Sequence, residues 1–442
     1  MPITEVPTEI ELLYQIKPCA DEHSAQVADR PPLPCAYFRK WGIWHSFDYE
    51  PDAPMMHHEI GLKSAYVGRR PLVAEALSGC RKAPIMAVGI NPNLPGWNRP
   101  NSVNPLFDEV QEFAHYFRYR ANAKLDIPLA DYERFGGDAK DPPLSTAELA
   151  VPMDADGHRT IPLEPRPVPM YQGYEALLAD MAEAMDWNDA KPVVGEDLSY
   201  GNMIGCPSAK WLLKPYAQDP RMPPMARTEM EGIVVECFVK RQYFLRQLAH
   251  SMPAVLLVIS QATTDAFLEQ MNGNFSLGAP KVGETVEALV DREIRLKFGD
   301  TEHEARVIFS PHITGNPHGF KVFRPKVLAQ LIDEAKRGGI AFNKVTGRLS
   351  RTKGPCTLCP TMAIGACEYA GELQPHAITT MADATLADVS LARSQKQFEL
   401  GIVRAFLERN AAAKAAPSAS SLSTTEAAND GWVLAAEHEQ SS

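Results

Sequence analysis

The sequence has no apolar run approaching the length needed to cross a bilayer, which sets a membrane-spanning protein aside. It also lacks a basic N-terminus followed by a long apolar core. MPITEVPTEIELL carries acidic residues there, so no secretory signal is expected, and the chain is expected to be cytoplasmic with no membrane partner. Positive charge is scarce as well: the formal net charge of -11 excludes a simple DNA-coating protein, because phosphate contacts need Lys and Arg. Any nucleic-acid surface must then be a local basic patch. No internal repeat is visible, and no obligatory protein partner is evident. What is present is ordinary globular composition over 442 residues, too many for one compact domain without insertions or appendages. Eight cysteines in a reducing compartment point to metal binding rather than disulfides.

Residues 1–80, rich in Pro, His and aromatics without periodicity, read as an N-terminal extension. Short apolar runs of strand type follow at Pro84–Ile90, Ala254–Ser260 and Ala305–Ser310, each ending in polar or Pro/Gly-rich residues. Helical patterns lie between and after them, notably Met230–His250 and Phe323–Lys336. Glu293–Phe298 alternates and meets Ala305–Ser310 across a Gly299-Asp300 turn, which predicts a hairpin. This alternation predicts an α/β fold: three layers, α/β/α, around a short central parallel sheet, with the site at the carboxyl ends of the strands. The core domain is expected over residues 81–340, with an insertion near 122–169 where Pro and Asp accumulate. Residues 341–370 form a basic stretch and a cysteine segment, and 371–442 a C-terminal helix with a flexible tail from about Ala411.

Four segments carry chemistry. The first is Val88-Gly89-Ile90-Asn91-Pro92-Asn93, a strand end turning into a loop. The second is Asn202-Met203-Ile204-Gly205-Cys206-Pro207, followed by Cys237 at the start of an amphipathic helical stretch. The third is Cys356-Thr357-Leu358-Cys359-Pro360, with Cys367 beyond it. Two thiolates separated by two residues can reach one metal centre. The fourth is Ser310-Pro311-His312-Ile313-Thr314-Gly315-Asn316-Pro317-His318, again a strand end entering a loop and then a helix. Cys19, Cys35 and Cys80 read as small buried apolar residues.

Together these segments resemble the uracil-DNA glycosylase superfamily, closest to its iron-sulfur enzymes, with the Gly-Ile-Asn-Pro first motif of the mismatch-specific branch. The Asn202-to-Cys206 spacing matches that family. The Cys206-to-Cys237 spacing is longer, the Cys-x-x-Cys segment stands after the core rather than before it, and Ser260 falls where a Gly is usual. The resemblance implies a DNA glycosylase hydrolysing the N-glycosidic bond of a flipped pyrimidine, most simply uracil, in base excision. It implies an iron-sulfur cluster, 4Fe-4S, held by Cys206, Cys237, Cys356 and Cys359, with Cys367 as substitute; a four-thiolate zinc site is the alternative.

Asn91 would orient the attacking water, because a carboxamide takes no proton near neutral pH. Most of the rate would then come from stabilising the departing anion, by Ser310 or His312 according to how the loop aligns with the family's His-Pro-Ser form. Asn202 would read the base edge, and Phe107 would stack on the flipped ring. DNA is the expected partner, gripped by a basic stretch of Lys336, Arg337, Lys344, Arg348, Arg351 and Lys353. Two other readings stay open: a glycosylase for a bulkier modified pyrimidine of bacteriophage DNA, serving defence, and a nucleic-acid-binding homologue without catalysis.

Overall fold

The computed structural model describes residues 79–80, 83–90, 125–128, 160–163, 169–205, 232–344, 347–350 and 386–415. Its centre is a six-stranded sheet built from β1 (Ile85–Gly89), β4 (Leu198–Asn202), β5 (Val255–Ile259), β6 (Phe275–Leu277), β7 (Arg295–Lys297) and β8 (Glu304–Ser310). The spatial order is β4-β1-β5-β8-β7-β6. The first four strands are parallel, and β7 and β6 close one edge antiparallel. The three strands and the hairpin expected from the sequence are all present. Two further two-stranded sheets pair β2 (Leu125–Pro128) with β3 (Thr160–Leu163), within the expected insertion, and β9 (Ala341–Asn343) with β10 (Arg348–Ser350).

Helices cover both faces, which is why β1 and β5 read as continuous apolar runs rather than alternating ones. Ile85 and Ala87 on β1, Val255 and Leu257 on β5, and Ile308 on β8 pack with Tyr174, Leu177 and Met181 of α1 (Pro169–Ala184) and with Val327 and Leu331 of α5 (Pro317–Lys336). The opposite face meets α2 (Tyr243–Ser251) and α3 (Gln261–Met271), where Phe267 sets its ring edge-on to Phe309. A short helical turn, α4 (Val286–Leu289), precedes β7. The last helix, α6 (Leu386–Ala415), packs against α2 and α3.

Three sequence expectations are corrected. The stretch Met230–His250 is not one helix: a π-helical turn, Val235–Arg241, ends at Gln242, whose φ of 61° breaks the spiral before α2 begins. Helix α5 starts at Pro317 rather than Phe323, because Asn316 caps it by accepting from the Gly319 N–H at 2.9 Å and Pro317 needs no partner for a missing N–H. The Ala-rich stretch after Ala411 continues α6 as far as Ala415.

The chain leaves β1 towards β4 on one side and leaves β5 towards β8 on the other. The crevice that such a reversal opens lies outside the carboxyl ends of β1 and β5. Among the described residues, Gly89, Ile90, Asn202, Ser310 and His312 sit on strand ends or a loop bordering that crevice.

Candidate functional site

Strands β4 and β1 deliver two of the motifs side by side. Asn202 is the register partner of Gly89, and the ladder runs on past the strand ends, with Met203 N–H donating to Gly89 O at 3.0 Å and Ile204 N–H to Ile90 O at 2.9 Å. Asn202 is buried, and its side chain crosses the strand gap: a Cβ added to Gly89 would stand 2.9 Å from Asn202 Oδ1 and 2.3 Å from the Tyr200 hydroxyl. Only glycine fits there, which gives the Gly of the first motif a physical reason. Asn91, the next residue after Ile90, and Phe107 lie outside the described residues.

Strand β8 ends at the same level. Val88 pairs with Val258 across β1 and β5, and Ile259 pairs with Ser310 across β5 and β8. Three strand spacings separate β4 from β8, roughly 14 Å. Ser310 is fully buried and its hydroxyl donates to Pro311 O at 3.0 Å, so that proton is committed to the backbone. His312 is half-buried on the loop beyond. Its Nδ1 accepts from the Gly315 N–H at 2.8 Å and the Thr314 N–H at 3.2 Å. Two main-chain donors aimed at one ring nitrogen leave the proton on Nε2, so the neutral ring presents a fixed donor. Burial holds the imidazole below its usual pKa of 6.5, which keeps it neutral near physiological pH. The loop is pinned from above: a Cβ on Gly173 of α1 would stand 2.5 Å from Ile313 Cγ2, so glycine lets α1 press against the loop.

Cys237 belongs to the π-helical turn and is buried. Its Sγ accepts from the Gly205 N–H at 3.4 Å, so the residue that precedes Cys206 in the chain is already in contact with the Cys237 sulfur. Buried Glu236 beside it holds Lys240 at 2.8 Å and Arg241 at 3.6 Å. Cys206, Cys356, Cys359 and Cys367 lie outside the described residues, and among the described residues no group of three or more His, Cys, Asp or Glu side chains is arranged around a metal. Cys80 is buried, as its apolar reading expected.

The basic stretch is corrected in part. Lys336 ends α5, a helix of 20 residues and roughly 30 Å that begins beside the His312 loop. Arg337 pairs with Glu293 at 2.7 Å and Asp333 at 3.2 Å. Arg348 donates to Lys191 O at 2.5 Å and lies 3.5 Å from Asp197, at the amino end of β4. These residues stand at the end of the sheet opposite the crevice, and two of them are engaged within the fold. Lys344 is exposed, and Arg351 and Lys353 lie outside the described residues.

Tyr200, a neighbour of the Gly89–Asn202 pair, carries no motif signal, whereas Ser260 stands at a position the resemblance marks. Tyr200 reaches the Gly89 position from two residues before Asn202, and Ser260 caps α3 with a φ of 84°. The Ser260 conformation is one that glycine favours, and it coincides with the position where the glycosylase resemblance expects Gly. No protein-family model matches the chain, and no curated protein is significantly similar to it.

Proposed function

We propose that this chain is a DNA base glycosylase of the uracil-DNA glycosylase type, acting on a flipped pyrimidine between Asn202 and the His312 loop. The observation that carries this reading is the convergence of three separate segments at one edge of the sheet. Gly89 and Asn202 interlock on adjacent strands, and His312, two strands further along, offers a neutral Nε2–H.

Cleavage of the sugar-base bond places positive charge on the deoxyribose and negative charge on the departing base. His312 donates from Nε2 to that base without carrying a charge of its own, while its Nδ1 stays held by the loop backbone. Ser310 is a poor candidate for the same task, because its hydroxyl proton is already given to Pro311 O. Asn91, following Ile90 at the end of β1, orients water beneath the sugar carbon. Asn202 matches the base edge with one acceptor and one donor. Phe107 is assigned to stacking on the flipped ring. Lys321, exposed on the first turns of α5 beside the loop, takes a phosphate contact that the distant basic stretch does not offer.

A 4Fe-4S cluster held by Cys206, Cys237, Cys356 and Cys359 suits the same reading. Buried thiolate ligands accept main-chain N–H groups, as Cys237 Sγ does from Gly205. The chain from Leu349, fixed on Asp197, to Cys356 can extend about 25 Å, comparable with the rise from Asp197 along β4 to Gly205. The cluster would act as a cross-link, since hydrolysis of this bond moves no electrons.

The deciding experiment is a panel of duplex oligonucleotides carrying uracil, mismatched thymine, hydroxymethylcytosine or glucosylated cytosine, assayed for abasic sites. Release of uracil is the expected result. Release of the modified cytosines alone would assign the bulkier substrate, and binding without release of any base would leave a DNA-binding protein.

A further inference from the structure

Between β6 and α4 the chain makes a loop, residues 278–284, whose base is fixed at several points. Arg292 donates from Nη2 to Gly278 O at 2.9 Å and to Ala279 O at 3.3 Å, and from Nη1 to the Glu284 carboxylate at 2.5 Å. Gln261, the first residue of α3, donates to Glu284 O at 3.2 Å and accepts from the Val286 N–H at 2.9 Å. Because Gln261 follows β5 almost directly, these bonds set the loop at the carboxyl end of the sheet, beside the crevice. Its tip is left open. Lys281, Val282 and Gly283 are exposed, Val282 at 53%, and no described atom stands within 4 Å of where a Cβ on Gly283 would be. A matching pair, Lys321 and Val322, is exposed on the first turns of α5, Val322 at 56%. Helices α3 and α5 cover opposite faces of the sheet, so the two Lys-Val pairs stand on either side of the strand ends. Other cations nearby are engaged: Arg292 with Glu284, Arg324 with Asp180 and Lys326 with Asp291, each at 2.5 Å. Among the described residues, neither Lys281 nor Lys321 pairs with an acid.

We propose that residues 281–283 form a second contact surface for duplex DNA, with Lys281 meeting a backbone phosphate and Val282 the apolar face of an adjoining deoxyribose; this rests on the glycosylase reading above. A sugar-phosphate strand is the occupant that fits, because the tip joins an unneutralised cation to an aliphatic group and such a strand offers a partner to each. The loop's own acid, Glu284, is held by Arg292 and does not oppose the phosphate. Exposed Glu287 on α4 does oppose it, and so marks the side from which the backbone stays away. A loop already fixed at its base loses little conformational entropy on binding, so its contacts are retained as affinity. With Lys321 on the α5 side, the enzyme then grips the backbone at two places, holding the flanking duplex while the nucleotide between them turns out.

The test measures binding of the full chain to a duplex containing a tetrahydrofuran abasic analogue, by fluorescence anisotropy over a series of salt concentrations. Lys281→Ala, with an unchanged Tm, is expected to reduce the steepness of log K against log salt by about one, and Lys281→Ala combined with Lys321→Ala by about two. Val282→Ser is expected to weaken binding severalfold at every salt concentration while keeping the wild-type slope, because a sugar contact releases no counterion. Lys191→Ala, an exposed lysine at the amino end of β4, is expected to match wild type. A wild-type slope in Lys281→Ala, or wild-type affinity in Val282→Ser, overturns the role of the loop and leaves the glycosylase reading standing. An equal loss of slope in Lys191→Ala overturns it as well. A wild-type chain that binds no duplex overturns both.

Discussion

At the scale of single residues, His312 is the group whose protonation the loop controls. The N–H groups of Thr314 and Gly315 face Nδ1, where a second proton would have to sit, and burial adds to the cost of a charged ring. The folded pKa lies below 6.5, so the neutral form, the one the proposed mechanism uses, persists through physiological pH and is lost as pH falls through that lowered value. Single-turnover kcat/KM should accordingly drop on the acid side with an apparent pKa under 6.5. His312→Ala should slow cleavage by about 100-fold or more and flatten that acid-side fall. Ser310→Ala should leave the profile within a few-fold of wild type, because its proton is spent on Pro311 O. A pH profile unchanged in His312→Ala, with the defect appearing in Ser310→Ala, would reverse the assignment.

At the scale of elements, the β9–β10 hairpin hangs on one buried carboxyl. Asp197 accepts from the Val193 N–H and the Leu349 N–H, each at 2.6 Å, with Arg348 nearby. Burial pushes its pKa from 3.8 up to about 7, against the opposing pull of the two N–H groups and Arg348. The folded chain therefore keeps a proton between pH 4 and 7 that the unfolded chain has released. Stability should fall as pH rises through that window and level off above it, by an amount of order a few kcal/mol. Asp197→Asn, followed by urea unfolding from pH 4 to 8, should show a shallower slope than wild type. Equal slopes would remove Asp197 as the source.

Nothing before β4 announced this carboxyl, since one Asp in a turn looks like any other in a sequence. Strands β1, β5 and β8 were legible because burial on both faces leaves uninterrupted apolar runs, and the end of β8 located Ser310 and His312; β4, LSYGN, carries no such run, and Asn202 was found only through its motif. The break at Gln242 was not, because the apolar spacing of ECFVKRQYFLRQL runs through it unchanged. Likewise Ser260 looks like a departure from the glycosylase pattern, yet its positive φ keeps the backbone that a glycine would adopt. Its Oγ also accepts from the Thr263 N–H at 3.3 Å, which offsets part of that strain. Lys336, Arg337 and Arg348 stand away from the crevice for the opposite reason: charge clustering along the chain does not say which end of a helix faces it.

At the scale of the whole molecule, the Cys356–Cys359 segment is bracketed by two elements fixed to the sheet domain. Before it, β10 is tied to Asp197 through Leu349. After it, α6 crosses the domain, with Glu399 against His250 at 2.6 Å in a buried pair, Asn274 Nδ2 donating to Phe406 O at 3.1 Å, and Phe298 packed on Phe406. Each end of a loop that is closed on both sides costs less entropy to bring back to a common centre than a free tail would. A centre holding Cys206, Cys237, Cys356 and Cys359 would then join the Asn202 strand, the π-helical turn and the C-terminal helix into one unit. Removing one ligand should act on all three. Cys237→Ser is expected to bleach the broad visible absorption of the purified protein and to lower its Tm. It should also weaken uracil discrimination, because Gly205, three residues after Asn202, loses the sulfur that its N–H contacts. The same substitution at Cys80, a buried thiol whose N–H donates to Gly195 O ahead of β4, should leave the colour intact. A colourless wild-type protein with one zinc per chain would replace iron and sulfide by zinc on the same thiolates, whereas colour and discrimination both retained in Cys237→Ser would take Cys237 out of the centre altogether.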